Sequence, residues 1–185
     1  MTLFGDGLDA AVQKSFTRPA PKSAPAQMRY LVRQLKGTRP VAQTLRISQR
    51  TVERYVKNQI RKPRPDLAAR LEREVKARWQ PQIRAQAKER AATTGGIVID
   101  TRARIGYTAP AGTTDDARIR HLTVALPPQY AARLFDAQQT GATDQQLQQI
   151  TAEALKEVYF QDNGRRAGQL EEVRFTDVEH VEFDL

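Results

Sequence analysis

Two stretches of this 185-residue chain carry side chains whose types and spacing suit chemistry. The first is Ser48-Gln49-Arg50-Thr51, with Arg54 one helical turn later. A glutamine amide pairs a donor with an acceptor and matches the major-groove edge of adenine. An arginine fork matches guanine. Gln49 is thus a candidate reader of adenine, and Arg50 or Arg54 of guanine, while Lys57, Arg61, Lys62 and Arg64 suit phosphate contacts, which position a protein without specifying sequence. The second stretch is Thr113-Thr114-Asp115-Asp116, at the end of a small-residue segment that begins at Ala109. Such a segment suits an exposed loop. It presents two adjacent hydroxyls followed by two carboxylates. On spacing alone, Thr113 with Asp116 three residues on is best explained as a turn or cap.

Other chemistries are poorly served. There is no cysteine, which removes disulfides, thiolate metal sites and cysteine nucleophiles. The two histidines, His121 and His180, are far apart in sequence and show no ligand spacing, so no histidine metal site or triad is expected. Gly95-Gly96 lacks the Lys-Thr or Lys-Ser that completes a phosphate-binding loop. Glu171, Glu172, Asp177, Glu179, Glu182 and Asp184 form an acidic tail best read as a solvated strand face. The expectation is a chain that is not itself an enzyme and has no cofactor of its own. No apolar run reaches the roughly 18 residues of a membrane span, and Met1 to Thr17 lacks the pattern of a secretory signal. A cytoplasmic, soluble protein with no membrane partner is expected.

Charge divides the chain. Lys and Arg number 30 and Asp and Glu 21, a net +9. Residues 1–90 hold 21 basic and 7 acidic side chains, a balance of +14, and residues 91–185 hold 9 and 14, a balance of −5. A basic half attracts polyanions because each neutralised phosphate releases counterions. The acidic half is better suited to a basic protein partner, or simply to solubility.

The elements that must position these residues follow from periodicity. Residues 1–25, interrupted by Pro19, Pro21 and Pro25, read as a flexible basic arm, with a short helix conceivable from Leu8 to Phe16. Met28, Leu31, Val32 and Leu35 mark a helix that Gly37 ends as its C′ residue. Thr38 caps a second helix with Pro40 in its first turn, and Ser48 caps a third. Lys62-Pro63-Arg64-Pro65 stops that block. From Asp66 a long helix carries Leu67, Leu71, Val75 and Trp79 at i, i+4 spacing. Pro81 kinks or restarts it, and Ile83 to Ala92 continue. Trp79 reads as a packing anchor. After Gly95-Gly96 the period changes to two: a strand from Ile97 to about Tyr107, a loop over residues 109–116, and a strand over residues 119–126. Two helices follow, the second opened by a capping box at Thr143 to Gln146, and the tail alternates again. The fold class is α+β: a flexible N-terminal arm (1–25), an all-helical domain with a long connecting helix (26–92), and a small α+β domain (93–185).

Thr38 to Tyr55 resembles the helix-turn-helix family over about twenty residues. Ala42 is the small contact residue, and Val41, Leu45, Ile47, Val52 and Tyr55 form the buried set. One departure is Arg46 at the turn position that usually holds glycine, where a left-handed conformation costs about 1 kcal/mol. The second helix would enter the major groove.

Nearly the whole chain resembles the telomere terminal proteins of actinomycete linear chromosomes and plasmids. The likeness rests on length, on Gly37-Thr38-Arg39-Pro40-Val41-Ala42, on Ser48-Gln49-Arg50-Thr51-Val52-Glu53-Arg54-Tyr55, and on Gly112-Thr113-Thr114-Asp115-Asp116. The resemblance implies a protein covalently attached to the 5′ ends of linear DNA, located at those ends in the nucleoid. It implies that a threonine hydroxyl, falling on Thr114, replaces the primer 3′-OH and accepts a first dCMP from a DNA polymerase. Mg2+ and dCTP then come through that polymerase. A telomere-associated protein is an implied partner, and homo-oligomerisation is left open. Asp115 and Asp116 would position metal or cap a turn. The alternative is a helix-turn-helix transcriptional regulator whose C-terminal region dimerises or senses a ligand.

Overall fold

The computed structural model describes residues 3–108, 114–165 and 170–185. It is of the α+β class. Among the described residues, eight α-helices accompany one three-stranded antiparallel sheet. The chain forms two compact units: a helical unit, Thr17–Pro81, and a sheet unit made of Met1–Phe16 and Gln82–Leu185.

The N-terminal residues correct the first expectation. Leu3–Lys14 is a helix, α1, and belongs to the sheet unit rather than to an arm. Its i, i+4 face of Phe4, Leu8 and Val12, with Ala11, is buried in that unit's core. The Phe4 ring meets Phe175 edge-on at 6.1 Å. Two residues in its first two turns, Gly5 and Gly7, lower helix propensity, and tertiary packing overrides them. A Cβ on Gly7 would stand 3.1 Å from the Phe183 ring, so glycine lets α1 approach the sheet.

The helical unit holds α2 (Ala24–Gln34), α3 (Thr38–Leu45), α4 (Gln49–Val56) and α5 (Pro65–Arg78). Its core is Met28, Leu31, Val41, Leu45, Val52, Leu71 and Val75, all fully buried. Two caps differ from expectation. Lys36, not Gly37, takes the left-handed position after α2 (φ 57°), and the Gly37 N–H donates to the Val32 carbonyl at 3.0 Å. That bond joins the second residue past the cap to the third from the helix end, a Schellman closure. Thr38 is the first helical residue of α3 rather than its cap.

The long connecting helix is two helices. α5 stops at Arg78, Trp79 is extended, Gln80 has φ 45°, and α6 (Pro81–Arg90) restarts at the proline. A residue before proline is driven out of the α region, which explains the break. Trp79 does anchor the helical unit: its ring lies 4.9 Å from Tyr30, and its indole N–H donates to the Arg18 carbonyl at 2.9 Å.

The sheet unit orders its strands β2-β1-β3, with β1 at Ile97–Thr108, β2 at Thr114–Leu126 and β3 at Glu172–Asp184. Along β1, Ile97, Ile99, Thr101, Ala103 and Ile105 are buried, while the intervening side chains face outward. α1, α7 (Pro128–Gln139) and α8 (Asp144–Leu155) pack on the sheet. The capping box of α8 is present as expected: Thr143 Oγ1 accepts from the Gln146 N–H, and Gln146 Oε1 from the Thr143 N–H.

Gly96 turns the chain from the helical segment into β1 with φ 70° and ψ −159°, a region reserved for glycine. A Cβ there would stand 2.3 Å from the Leu126 carbonyl oxygen. Gly96→Ala is therefore expected to cost at least about 1–3 kcal/mol, read as a lowered far-UV circular dichroism melt. An unchanged melt would contradict this account of the turn.

Candidate nucleic-acid interface

The turn between α3 and α4 has the geometry that the sequence suggested. Arg46 sits in the left-handed region (φ 51°, ψ 50°), and the Ile47 N–H donates to the Ala42 carbonyl at 3.0 Å. Ala42 is buried in the core of the helical unit, and Ile47 packs partly against the same core. Ser48 caps α4, its hydroxyl accepting from the Thr51 N–H at 3.1 Å.

The nine expected contact residues separate into classes. Ser48, Gln49, Arg50, Arg54, Lys57, Arg61, Lys62 and Arg64 are exposed, and Thr51 is half-buried. Ser48 and Thr51 share a hydroxyl–hydroxyl hydrogen bond of 2.8 Å, so both serve the cap. Gln49 Nε2 donates to Thr38 Oγ1 at 3.0 Å and to Glu53 Oε1 at 3.1 Å, which uses both amide donors. To read adenine, Gln49 must exchange at least one of these bonds. That leaves Arg50, Arg54 and Lys57, at i, i+4 and i+7, as one exposed stripe along α4.

Arg54 in the last turn of α4 and Lys57 at its C-cap suit the helix dipole, but two other features of these cations work against folding. Like charges at i, i+4 cost about 0.2–0.5 kcal/mol. Arg64 occupies the N-cap of α5 with no side-chain cap bond, where a cation opposes the helix dipole by about 0.3–1 kcal/mol. Among the described residues, none of Arg50, Arg54, Lys57, Arg61, Lys62 or Arg64 is joined to an acidic side chain. By contrast, Arg70, Lys76 and Arg78 on α5 pair with Asp66, Glu72 and Glu74. The helical unit holds 17 basic and 4 acidic residues, a balance of +13.

The second stretch lies at the end of the β1–β2 hairpin. Thr113 falls outside the described residues, as do Ala109 to Gly112. Thr114 is the first residue of β2 and pairs with Thr108; Asp115 pairs with Tyr107. The expected loop over 109–116 is thus shorter, and β2 begins five residues before the expected Ile119. A bulge explains the misreading. Between the pairs Ile105–Arg118 and Tyr107–Asp115, β2 advances three residues against two on β1, which breaks the alternation the sequence reading relied on. Beside this end, α8 and β3 enclose a groove of about 700 Å³ lined by Thr108, Gln149, Lys156, Glu171 and Arg174, among others.

The two histidines, distant in sequence, meet. On the outer sheet face the Asp100 carboxylate accepts a 2.6 Å bond from Thr123 Oγ1. His121 Nε2 lies 3.1 Å and His180 Nε2 3.5 Å from the same Asp100 Oδ1. β1 lies between β2 and β3, and Arg102 pairs with both histidines in register. Only strand register could have shown this. The Thr123 hydrogen bond, then that from His121, holds the Asp100 carboxyl below its usual 3.8. A depressed carboxyl stabilises the fold above its ordinary value and loses that contribution as pH falls through the lowered one. Wild type should therefore lose more thermal stability than Asp100→Asn between about pH 5 and about pH 2. Parallel losses would remove Asp100 from the acid response.

Among the described residues, no group of three or more His, Asp or Glu is arranged to hold a metal ion, and no helix is long and apolar enough to cross a membrane. No family model, curated protein or solved structure matches this chain.

Proposed function

We propose that this chain holds DNA with its helical unit and offers the Thr114 hydroxyl as the primer for replicating the ends of linear DNA. The observation that carries the DNA-binding part is the α3–α4 turn, with an exposed Arg50, Arg54 and Lys57 stripe on its second helix that meets no acidic side chain among the described residues. The priming part is supported by the resemblance to telomere terminal proteins and by Thr114 opening β2 at the tip of a hairpin. In the reaction, Thr114 Oγ attacks the α-phosphorus of dCTP. The Oγ–P bond forms, the bond to the β-phosphate oxygen breaks, pyrophosphate leaves and the hydroxyl proton passes to solvent. The partner polymerase's Mg2+ ions activate the hydroxyl and stabilise pyrophosphate, so this chain acts as substrate rather than enzyme. A DNA polymerase and a telomere-associated protein are the partners, at the DNA ends in the nucleoid. The test is incubation of full-length protein with labelled dCTP, telomeric template and host extract. Label should migrate with the protein on a denaturing gel. Its absence would sink the priming reading.

The groove of about 700 Å³ between α8 and β3 favours one second reading, a DNA-binding regulator that senses a small ligand in its sheet unit. That protein would bind DNA equally but accept no nucleotide.

A further inference from the structure

The segment between α4 and α5 is more than a linker. Asn58 turns the chain in the left-handed region (φ 58°), and Arg29 Nη1 holds it by donating to Asn58 Oδ1 at 3.1 Å and to the Val56 carbonyl at 3.2 Å. The Gln59 N–H donates back to the Arg54 carbonyl at 2.8 Å, and Ile60 packs partly against the helical core. The segment is therefore tied to the end of α4 before its charged part begins. Residues 60–64 then run without regular secondary structure, and Arg64 has φ −63° and ψ 153°, the polyproline II region. Pro63 and Pro65 alternate with Lys62 and Arg64, so the backbone is stiff and offers few N–H groups. Arg61, Lys62 and Arg64 are exposed, and among the described residues none is joined to an acidic side chain. The nearest acidic residues in sequence are already engaged: Glu53 with Gln49, and Asp66 with Arg70.

A narrow, extended, preordered strand bearing Arg and Lys but few backbone donors fits the minor groove of duplex DNA. That groove is about 6 Å wide. Over A·T-rich sequence it narrows further, and its deepened negative potential draws inserted arginine. We propose that Arg61–Pro65 is a minor-groove arm that selects A·T-rich duplex beside the major-groove site of α4. Arg61 and Arg64 enter the groove and Lys62 lies along its phosphates. The proposal rests on the reading of the helical unit as DNA-binding. It adds a specificity that phosphate contacts alone would not give, because those are blind to sequence.

Inosine supplies the test, since an I·C pair keeps the major-groove edge of G·C but lacks the amino group in the minor groove. Full-length protein is titrated by fluorescence anisotropy against three duplexes of equal length whose segment flanking a common core is A·T, I·C or G·C. The A·T and I·C duplexes should bind roughly tenfold tighter than the G·C duplex. The double variant Arg61→Ala/Arg64→Ala should bring the three within about twofold, while Arg50→Ala weakens all three and keeps the ratio. Folding of each variant is checked by Trp79 fluorescence. An I·C duplex that behaves like G·C, or a preference that survives in the arm variant, overturns the minor-groove arm and leaves DNA binding intact. Failure of wild type to bind any duplex overturns the DNA-binding reading itself.

Discussion

Thr114→Val is expected to abolish nucleotide acceptance while leaving DNA affinity within about twofold. The substitution removes the one atom the proposed reaction needs, so the expected loss is complete rather than graded. Other changes are small. Valine keeps the β-branch that suits a strand, and Thr114 is the first residue of β2. The stripe proposed to bind DNA is on α4 in the helical unit, so binding serves as the internal control. Thr114→Ser should restore acceptance, since it returns a hydroxyl at the same position, and Thr113→Val should retain it. Labelled dCMP on a denaturing gel reads all three. If Thr114→Val still carries label, another hydroxyl is the acceptor and the assignment is lost. A ligand-sensing regulator predicts that neither wild type nor variant is labelled.

The sequence and the structure agree best where one chain segment decides the outcome. The helix-turn-helix is local: Ala42, Leu45, Ile47 and Val52 read inward, Ser48 reads as a cap, and all do so in the fold. Arg46 is instructive, because its left-handed strain was expected from one departure and is present. Agreement fails where distant segments decide. Phe4, Leu8 and Val12 show helical spacing, but nothing nearby says that their partners include Phe175 and Phe183, far along the chain. Residues 3–14 therefore looked like part of an arm.

The candidate sites follow the same rule. The cationic stripe of α4 needed only helical periodicity to be found. The roles of Gln49 and Thr51 depend on tertiary geometry, because their partners Thr38 and Ser48 are set by the cap and the turn. The start of β2 was hidden by its bulge, since an extra residue shifts the side-chain alternation that marks a strand. β3 has two such shifts, between Arg102 and Ala103 and between Arg104 and Ile105 of its partner. The histidines meet at Asp100 only through the order β2-β1-β3, which no local signal carries.

The second large effect is expected for Arg50→Ala/Arg54→Ala. A bidentate arginine contact to guanine contributes about 1–3 kcal/mol of discrimination. If both arginines reach base edges and their losses add, about 2–6 kcal/mol in all, the double variant should bind duplex DNA at least about thirtyfold more weakly. Stability should move the other way. Both side chains are exposed and, among the described residues, joined to no acidic group, and the i, i+4 repulsion between them disappears, so thermal unfolding followed by Trp79 fluorescence should stay level or rise slightly. The opposed directions make the test sharp, because a merely damaged helical unit would lose affinity and stability together. Salt separates the two arginine roles. Each lost phosphate contact reduces the slope of log affinity against log salt by about 0.9 for duplex DNA, whereas a lost base contact lowers affinity at every salt concentration and largely preserves the slope. Affinity unchanged at physiological salt would show that α4 is not the surface that enters the groove.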